Sequence, residues 1–596
     1  MRPLGCLLAV LVLCAPGVAA VTPALGASAP GRASAAGASI AAFPIPGARF
    51  ASRRTQIAFR GVSAARLGTI LVTGSRSGTH AGVVKGDSDG QGASFLPAQQ
   101  FFAGEVVTVR TTLNVLHGTN GSFTFAVATP AGAVFRGSLP PARRVRGDVM
   151  RFRSRPDLTP PAVRVTRRSG AAAAGDIFIS PQQGPLQNGP MLLDRGGGLV
   201  WFKRIPPKEM VSDFRVQSYQ GKPVLTWWQG FSGAGVGVGR DVINDTAYHE
   251  IAGVNAANGL SADLHEFRIT AHNTALITAY FPVYVTVPAG HGSRREIVFD
   301  SVVQEIDVPT GLVLFQWDSL DHVPLGDSHA PPPKSANAPL DYFHVNSVEP
   351  DRDGSLVISA RNTWAAYKVD RASGAVIWTL GGKHSSFKLG RGASFAFQHD
   401  VRVRSGGDRF VTLFDDGAGP PSVHKESRGL KLFLDLKHMT ATVAGEYKHG
   451  PPLLANFEGN VQQVIGGDNF VGWGQQPYFT EFNSRGRTIF DGRFVGANSS
   501  YRAYRLSWSG APLVPPAVAA TTGRHATVYA SWNGATSVAR WRVLGGPSPG
   551  ALGVVRTVRR RGFETAIGIR SRRYVQVQAL DGAGHVLGHS ATVRAR

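Results

Sequence analysis

The sequence predicts an all-β protein, a six-bladed β-propeller flanked by an N-terminal β-sandwich and a C-terminal fibronectin-like β-sandwich. The 596 residues include 72 glycines and 38 prolines, which suits short strands joined by turns better than long helices. Hydrophobic residues make up 43 % and charged residues 17 %, so the chain can bury a core and is too weakly charged for a disordered protein. The middle of the chain repeats a strand pattern in units of roughly 50 to 80 residues, the size of propeller blades.

The N-terminus has the pattern of an export signal. Arg2 is followed by an apolar core and by small residues before position 20, so 1–20 is expected to be a signal peptide. The protein is then exported to the extracellular space, the cell surface or a periplasm-like compartment, with the signal cleaved or retained as an anchor. Both cysteines, Cys6 and Cys14, lie in this segment, so the mature chain would carry no disulfide. Residues 21–48, mostly Ala, Gly, Ser and Pro, are expected to form a disordered leader.

Two proline-rich segments divide the rest of the chain into three parts. They lie at 154–161 and 511–516. Before the first, short β-type runs alternate with glycine-rich turns, which predicts a β-sandwich over 49–153. The repeating region, 160–510, is the predicted propeller. After the second segment the alternation returns, which predicts a fibronectin-like sandwich over 517–596.

The repeating region carries the candidate site. Four stretches share a polar-aromatic opening that is followed about ten residues later by a strand. Three openings place a histidine at the same point, His265, His344 and His399, and the fourth has Asn460 there. Because the first strand of each blade lines the central channel, the three histidines are expected to converge on one axis. Arg361 ends the strand that follows the second of them.

Three convergent imidazoles leave two kinds of chemistry open. Neutral imidazoles suit a metal such as Zn²⁺ or Cu²⁺. They can instead act as nucleophile, acid and base, while Arg361 grips the oxygens of a sulfate or phosphate group. A guanidinium would repel a bound dication, so the set favours a site that handles an anion.

The basic composition of the chain adds little to the prediction of this site. Lys and Arg number 63 against 39 Asp and Glu, which gives a net charge of +24, but they are spread along the whole chain. No basic tract is interleaved with aromatic residues, as a nucleic-acid groove would need, so no nucleic-acid partner is expected.

At these residues the sequence resembles the bacterial arylsulfotransferases, specifically their large secreted branch. The matching stretches fall between about 160 and 510 in a specific order, and the resemblance implies a six-bladed propeller. The stretches are Asp263–Phe267, Thr274–Tyr280, Asp341–Val348, Ser359–Thr363, Ile377–Lys383 and Phe397–Arg402.

The resemblance implies an enzyme that moves a sulfuryl group from a phenolic sulfate ester to another phenol, without a nucleotide sulfate donor. It implies ping-pong transfer through a sulfated histidine. His399 would be the nucleophile, while His344, His265 and Arg361 would hold sulfuryl oxygens and exchange protons with the phenols. No cofactor and no metal is expected. The partners would be an aryl sulfate donor and a phenolic acceptor, and association with the cell surface is a further possibility. The sequence does not indicate an oligomeric state.

Two departures from the family keep other functions open. Well-studied members have a disulfide near the active site, which the mature chain lacks, and the flanking sandwiches differ from the compact enzymes. One alternative is a secreted propeller without catalytic activity that binds sulfated, phenolic or glycan ligands. The other is a propeller hydrolase that uses a histidine-bound metal.

Overall fold

The prediction of an all-β chain is confirmed. The computed structural model describes residues 39–132, 140–233, 235–289, 292–333, 335, 337–404 and 407–596. The predicted signal peptide, 1–20, lies outside the described residues, as does most of the predicted leader. Helical structure among the described residues is limited to α1 (Ser319–His322) and the single 3₁₀ turns Ala64–Arg66 and Leu325–Asp327.

None of the helices in the described part of the chain is long and apolar enough to cross a membrane.

The N-terminal part consists of two four-stranded sheets that share one apolar core. Its strands are β1 (Ala41–Phe43), β2 (Ile57–Arg60), β3 (Leu71–Gly74), β4 (Gly78–Thr79), β5 (Gly82–Gly86), β6 (Gly92–Pro97), β7 (Val106–Arg110) and β8 (Ser122–Ala126). The sheet orders are β1-β2-β6-β5 and β4-β3-β7-β8, with Phe59 and Phe123 buried between them. The structure differs from the prediction at the C-terminal end of the expected leader, 21–48. Residues 39–48 are ordered, because Ile40 is buried in this core while Phe43 is buried against Phe315 of the central part.

The central part contains six sheets in the described chain. Its strands are β9 (Val163–Arg168), β10 (Asp176–Pro181), β11 (Met191–Leu193), β12 (Leu199–Phe202), β13 (Met210–Tyr219), β14 (Lys222–Gly233), β15 (Val236–Asn244), β16 (Glu250–Val254), β17 (Phe267–Ile269), β18 (Thr274–Ala289), β19 (Gly292–Asp307), β20 (Val313–Asp318), β21 (Val345–Pro350), β22 (Leu356–Ala360), β23 (Ala365–Val369), β24 (Val376–Gly381), β25 (Lys388–Leu389), β26 (His399–Arg404), β27 (Gly407–Asp415), β28 (Arg428–Asp435), β29 (Thr440–Tyr447), β30 (Asn460–Gln463), β31 (Asn469–Gly472), β32 (Tyr478–Phe482), β33 (Thr488–Phe494) and β34 (Ser500–Leu506).

The first and last strands of this region are exchanged, so that each pairs with a sheet formed mainly by strands from the opposite end of the region. Four sheets are formed by consecutive strands, β13–β16, β17–β20, β21–β24 and β25–β29. The remaining two have the orders β12-β11-β10-β34 and β30-β31-β32-β33-β9. The last strand thus completes the first sheet, where Ile177 pairs with Arg505, and the first strand completes the last sheet. Contacts between neighbouring sheets run in turn through β34, β13, β17–β18, β21, β26, β30 and back to β34, which closes a propeller-like ring.

The innermost strands carry a buried cluster of charged side chains. Glu266 accepts hydrogen bonds from Arg215 at 2.8 Å and from Arg402 at 2.7 Å. Arg502 forms an ion pair with Asp213 at 2.9 Å. Burial alone would raise the pKa of Glu266, but the guanidinium groups of Arg402, Arg502 and Arg215 outweigh it and lower that pKa. Each buried charge therefore depends on its partners in neighbouring sheets, which ties the sheets together around the axis.

The C-terminal part is a second pair of sheets around its own core. Its strands are β35 (Ala517–Ala520), β36 (His525–Ser531), β37 (Arg540–Gly546), β38 (Gly553–Arg559), β39 (Glu564–Arg570), β40 (Tyr574–Leu580), β41 (Val586–His589) and β42 (Val593–Arg594). The sheet orders are β35-β36-β39 and β38-β37-β40-β41, with β42 also paired to β40. Asn533 connects this part to the ring, since its amide exchanges hydrogen bonds of 3.0 and 2.9 Å with the backbone of Phe202.

Candidate functional site

The candidate histidines lie at one end of the ring, where the inner strands begin. His265 precedes β17 by two residues, His344 directly precedes β21, and His399 is the first residue of β26. The imidazole rings of His265 and His344 are nearly perpendicular, with centroids 4.8 Å apart. The ring of Tyr501, at the start of β34, lies 5.6 Å from that of His265 and 6.5 Å from that of His399. The three histidines therefore belong to one buried cluster, in which the ring of Tyr501 lies near both His265 and His399.

Arg361 is part of the same cluster. It follows β22, and its backbone N–H donates to the carbonyl of His344 at 2.9 Å. Its guanidinium donates to the Asn362 side chain and to the Asn456 carbonyl, both at 2.8 Å, and lies 4.7 Å from the centroid of the Phe397 ring. The structure thus brings together all four residues that the sequence singles out.

Each histidine is paired with an aspartate. The pairs, all through the imidazole Nδ1, are His265 with Asp263, His344 with Asp341 at 2.5 Å, and His399 with Asp416 at 2.8 Å. A carboxylate at Nδ1 keeps the proton on that nitrogen, fixes the ring and leaves the lone pair on Nε2. Asp263 and Asp341 stand two and three residues before their histidines, a spacing visible in the sequence. Asp416 comes after the neighbouring strand, and no local pattern points to it.

The hairpin of β14 and β15 packs against two of these pairs. The Gly237 N–H donates to the carboxylate of Asp263, which also accepts from Thr278 Oγ1 at 3.2 Å. Gly235 lies against His344, since a Cβ placed there would be 3.4 Å from the imidazole Cε1. Its φ of +84° lies in the left-handed region that favours glycine. The hairpin therefore forms one wall of the cluster.

His399 is neutral, with its proton on Nδ1. Burial lowers the pKa of His399 well below its ordinary value, and the charge of Arg361 acts in the same direction. Burial also raises the pKa of Asp416, which disfavours a charged pair of imidazolium and carboxylate. The backbone N–H of Glu458 donates to His399 Nε2 at 3.2 Å. Because Nε2 accepts this bond, the proton of the neutral imidazole lies on Nδ1 and is donated to Asp416.

Glu458 is a second acidic group at the site that the sequence did not reveal. Its φ of +70° is uncommon for a residue with a side chain and directs its N–H to the imidazole of His399. Burial raises the pKa of its carboxyl group to about 8, with the nearby amide of Gln182 opposing the shift. The aligned residue Asn460 has another role, since its amide exchanges two 2.9 Å hydrogen bonds with the backbone of Ala503.

A cavity of about 270 Å³ lies beside the β14–β15 hairpin, and its lining includes none of the four candidate residues. Its wall includes Gln182, Met210 and Ser232, the last from the hairpin beside the histidines. An apolar cavity of about 150 Å³ holds benzene, so this space accommodates an aromatic ring. Within the described ranges, no group of three or more His, Cys, Asp or Glu side chains is arranged to hold a metal ion.

The site as a whole gathers three imidazoles, one guanidinium and a neutral carboxyl group in one cluster, and its guanidinium is suited to an anionic group. Residues 215–495 match the family model described as arylsulfotransferase (ASST). This region of the chain belongs to the arylsulfotransferase family. The predicted resemblance is thereby confirmed, and the matched range contains all four candidate residues. None of the curated proteins searched matches its sequence.

Several solved structures resemble parts of this chain. A protein of unknown function from Bacteroides caccae is 10 % identical, covers 56 % of this chain and 98 % of its own, and has a TM-score of 0.35. The periplasmic gluconolactonase of Pseudomonas aeruginosa is 12 % identical over 65 % of this chain and 96 % of its own, with a TM-score of 0.23. An inactive virginiamycin B lyase from Staphylococcus aureus is 10 % identical over 63 % and 96 %, with a TM-score of 0.26. At these TM-scores the likenesses support no conclusion about this protein.

Proposed function

We propose that this protein transfers a sulfuryl group from an aryl sulfate to a phenol through a sulfated His399. The observation that carries the proposal is the set of three imidazoles, each held by an aspartate at Nδ1, gathered beside Arg361. Membership of the arylsulfotransferase family supports this activity in general. The covalent route and the individual roles are our proposal.

In the first half-reaction, the lone pair on His399 Nε2 attacks the sulfur. An N–S bond forms and the S–O bond to the aryl group breaks, with its electron pair left on the phenol oxygen. His344 or His265 gives that oxygen a proton. Arg361 donates N–H groups to the non-bridging oxygens, where negative charge is spread in the transition state.

The proton for the leaving phenol arrives with the substrate. Burial lowers the pKa of His344 while Asp341 opposes the shift, so the imidazole is neutral near pH 7 in the free protein. A sulfate ester bound beside it adds a negative charge that favours the protonated form. We therefore expect proton uptake on donor binding. In the second half-reaction the acceptor phenol returns its proton to the same imidazole, attacks the sulfur and breaks the N–S bond.

The backbone N–H of Glu458 has a part in both states. At rest it donates to His399 Nε2 at 3.2 Å, so this weak bond must be released when the lone pair attacks sulfur. The same N–H then lies next to the new sulfuryl group and can donate to one of its oxygens. A donor placed where charge develops contributes to transfer without any rearrangement of the chain.

We also propose a domain organisation. The six sheets, and the exchange of the first and last strands between two of them, support a six-bladed propeller over 160–510. The two-sheet cores on either side support flanking β-sandwiches over 49–153 and 517–596. Export through residues 1–20 remains a proposal from the sequence alone.

The activity is tested with a chromogenic aryl sulfate and a phenol as acceptor. We expect release of the donor phenol and, after acid-free quenching, a sulfuryl adduct on the peptide that contains His399. His399→Ala should lose both. His384→Ala is the matched control, because His384 also pairs with an aspartate, at 3.0 Å, but lies exposed outside the cluster. Folded protein that binds aryl sulfates without turnover or adduct would support the binding alternative instead.

A further inference from the structure

The C-terminal part, 517–596, holds a disproportionate share of the positive charge. It contains twelve arginines, no lysine and two carboxylates, which leaves +10 of the +24. A general preference for arginine would act along the whole chain and would leave the acids in place. The other residues hold 37 of the 39 carboxylates, so this part is short of acids as well as rich in arginine.

Both carboxylates are engaged elsewhere. Glu564 accepts hydrogen bonds from the backbone N–H and the hydroxyl of Ser154, at the junction with the ring. Asp581 holds a turn, where it accepts from the N–H groups of Gly584 at 2.7 Å and His585 at 2.9 Å. Neither is paired with an arginine of the sheet described next.

Three arginines share the outer face of the β38-β37-β40-β41 sheet. Arg540 and Arg542 flank Trp541, which is buried in the core, so both point away from that core. Arg559 lies directly opposite Arg540 on the neighbouring strand. Side chains opposed in this way are about 5 Å apart at Cβ, and like charges there destabilise a sheet. Arg540 and Arg559 are exposed, and within the described chain neither forms an ion pair.

The rest of this face is mixed, because Leu544 lies opposite Val554, which is 66 % exposed. Gln578, opposite Arg542, accepts a hydrogen bond from that guanidinium at 3.3 Å. Arg594 lies opposite Tyr574, which adds a fourth positive charge on the same side. Within 517–596, all of which the structure describes, this face carries no carboxylate on a strand.

We propose that this face binds an anionic polysaccharide, with Arg540, Arg542 and Arg559 as its main contacts. A guanidinium matches a sulfate or carboxylate group with two parallel N–H donors. Anions spaced along an extended polymer would relieve the repulsion between the opposed arginines. Single-stranded nucleic acid requires a row of aromatic side chains, and a membrane surface requires an exposed apolar face. This face offers one tyrosine and the apolar pair Leu544 and Val554 among charged and amide groups, and this predominance of charged and amide groups favours a sugar polymer.

The test uses the full chain with dextran sulfate, polygalacturonate and neutral dextran. Binding is measured as a function of salt, since released counterions make polyanion affinity fall with ionic strength. The variant is Arg540→Gln/Arg542→Gln/Arg559→Gln. The control removes the same charge from exposed arginines outside this face of the same part, Arg524→Gln/Arg570→Gln/Arg572→Gln.

We expect both anionic polymers, or the sulfated one alone, to bind and neutral dextran not to bind. The face variant should lose at least about tenfold in affinity with a shallower salt dependence, while the control changes by less than about threefold. Equal losses in both variants would overturn the proposal, because net charge alone would then explain binding. Tighter binding to duplex DNA or to phosphatidylglycerol vesicles than to the polysaccharides would also overturn it. A thermal unfolding midpoint unchanged in the face variant shows that the loss is not misfolding.

Discussion

Replacing Glu458 by glutamine should make the stability of the protein less sensitive to pH. The carboxyl group has a folded pKa of about 8 against an ordinary value of 4.5, and burial is the main cause. The folded state therefore keeps a proton that the unfolded chain has released, so stability falls as the pH rises from about 4.5 to about 8 and levels off above that. A gap of about 3.5 pH units at about 1.36 kcal/mol each amounts to about 5 kcal/mol.

Glu458→Gln keeps the shape of the neutral acid and cannot ionise. Its free energy of unfolding, relative to the native protein, should therefore rise by about 5 kcal/mol between pH 4.5 and pH 8.5, measured by urea denaturation at steps of half a unit. Any constant offset from the new amide does not affect this slope. Asp318→Asn is a matched control, because burial also raises the pKa of Asp318 to about 8 at a point away from the histidines. It should show a similar slope with full activity. A difference that stays flat with pH for Glu458→Gln would refute the reasoning.

Three further predictions concern the site and the ring. Asp416→Asn removes the carboxylate that keeps the proton on Nδ1 of His399. We expect kcat to fall by about 10⁴-fold, as in other histidine–aspartate pairs. A fall of less than tenfold in steady-state assays would contradict this role of Asp416. Arg502→Met leaves Glu266 short of a partner and should lower the free energy of unfolding by roughly 3–5 kcal/mol, whereas a loss near zero would show the charged cluster to be dispensable. Gly459 has a φ of +103°, so Gly459→Ala should lower the free energy of unfolding by roughly 1–3 kcal/mol. The substitution should also lower activity, because it moves the backbone N–H donor of Glu458. An unchanged melting temperature and unchanged turnover would contradict both expectations.

The sequence predicted the parts of this protein that repeat. Glycine-rich turns and alternating strands recur, so the all-β class could be read directly. His265, His344 and His399 could be found because each opens an inner strand in the same register. Arg361 followed from its position at the end of the next strand.

The parts that were missed depend on contacts between distant strands. Asp416 reaches His399 from the strand after it, and nothing in the local sequence marks that pairing. Glu458 stands two residues before Asn460, the position that aligns with the histidines, and only its positive φ brings it to the site. The expected leader ran to residue 48 because its composition is rich in small residues, yet Ile40 and Phe43 are apolar enough to be buried.

The exchange of strands between the two ends of the ring has a consequence for how the chain folds. More than 300 residues separate β9 from β34, so the contacts that close the ring are among the most distant in sequence, and proteins rich in such contacts fold slowly. A chain that ends before β34 would leave one sheet without its inner strand. An unpaired sheet edge invites association with another chain. During synthesis the ring stays open until its final strand is made, and for most of that time this protein is exposed to aggregation.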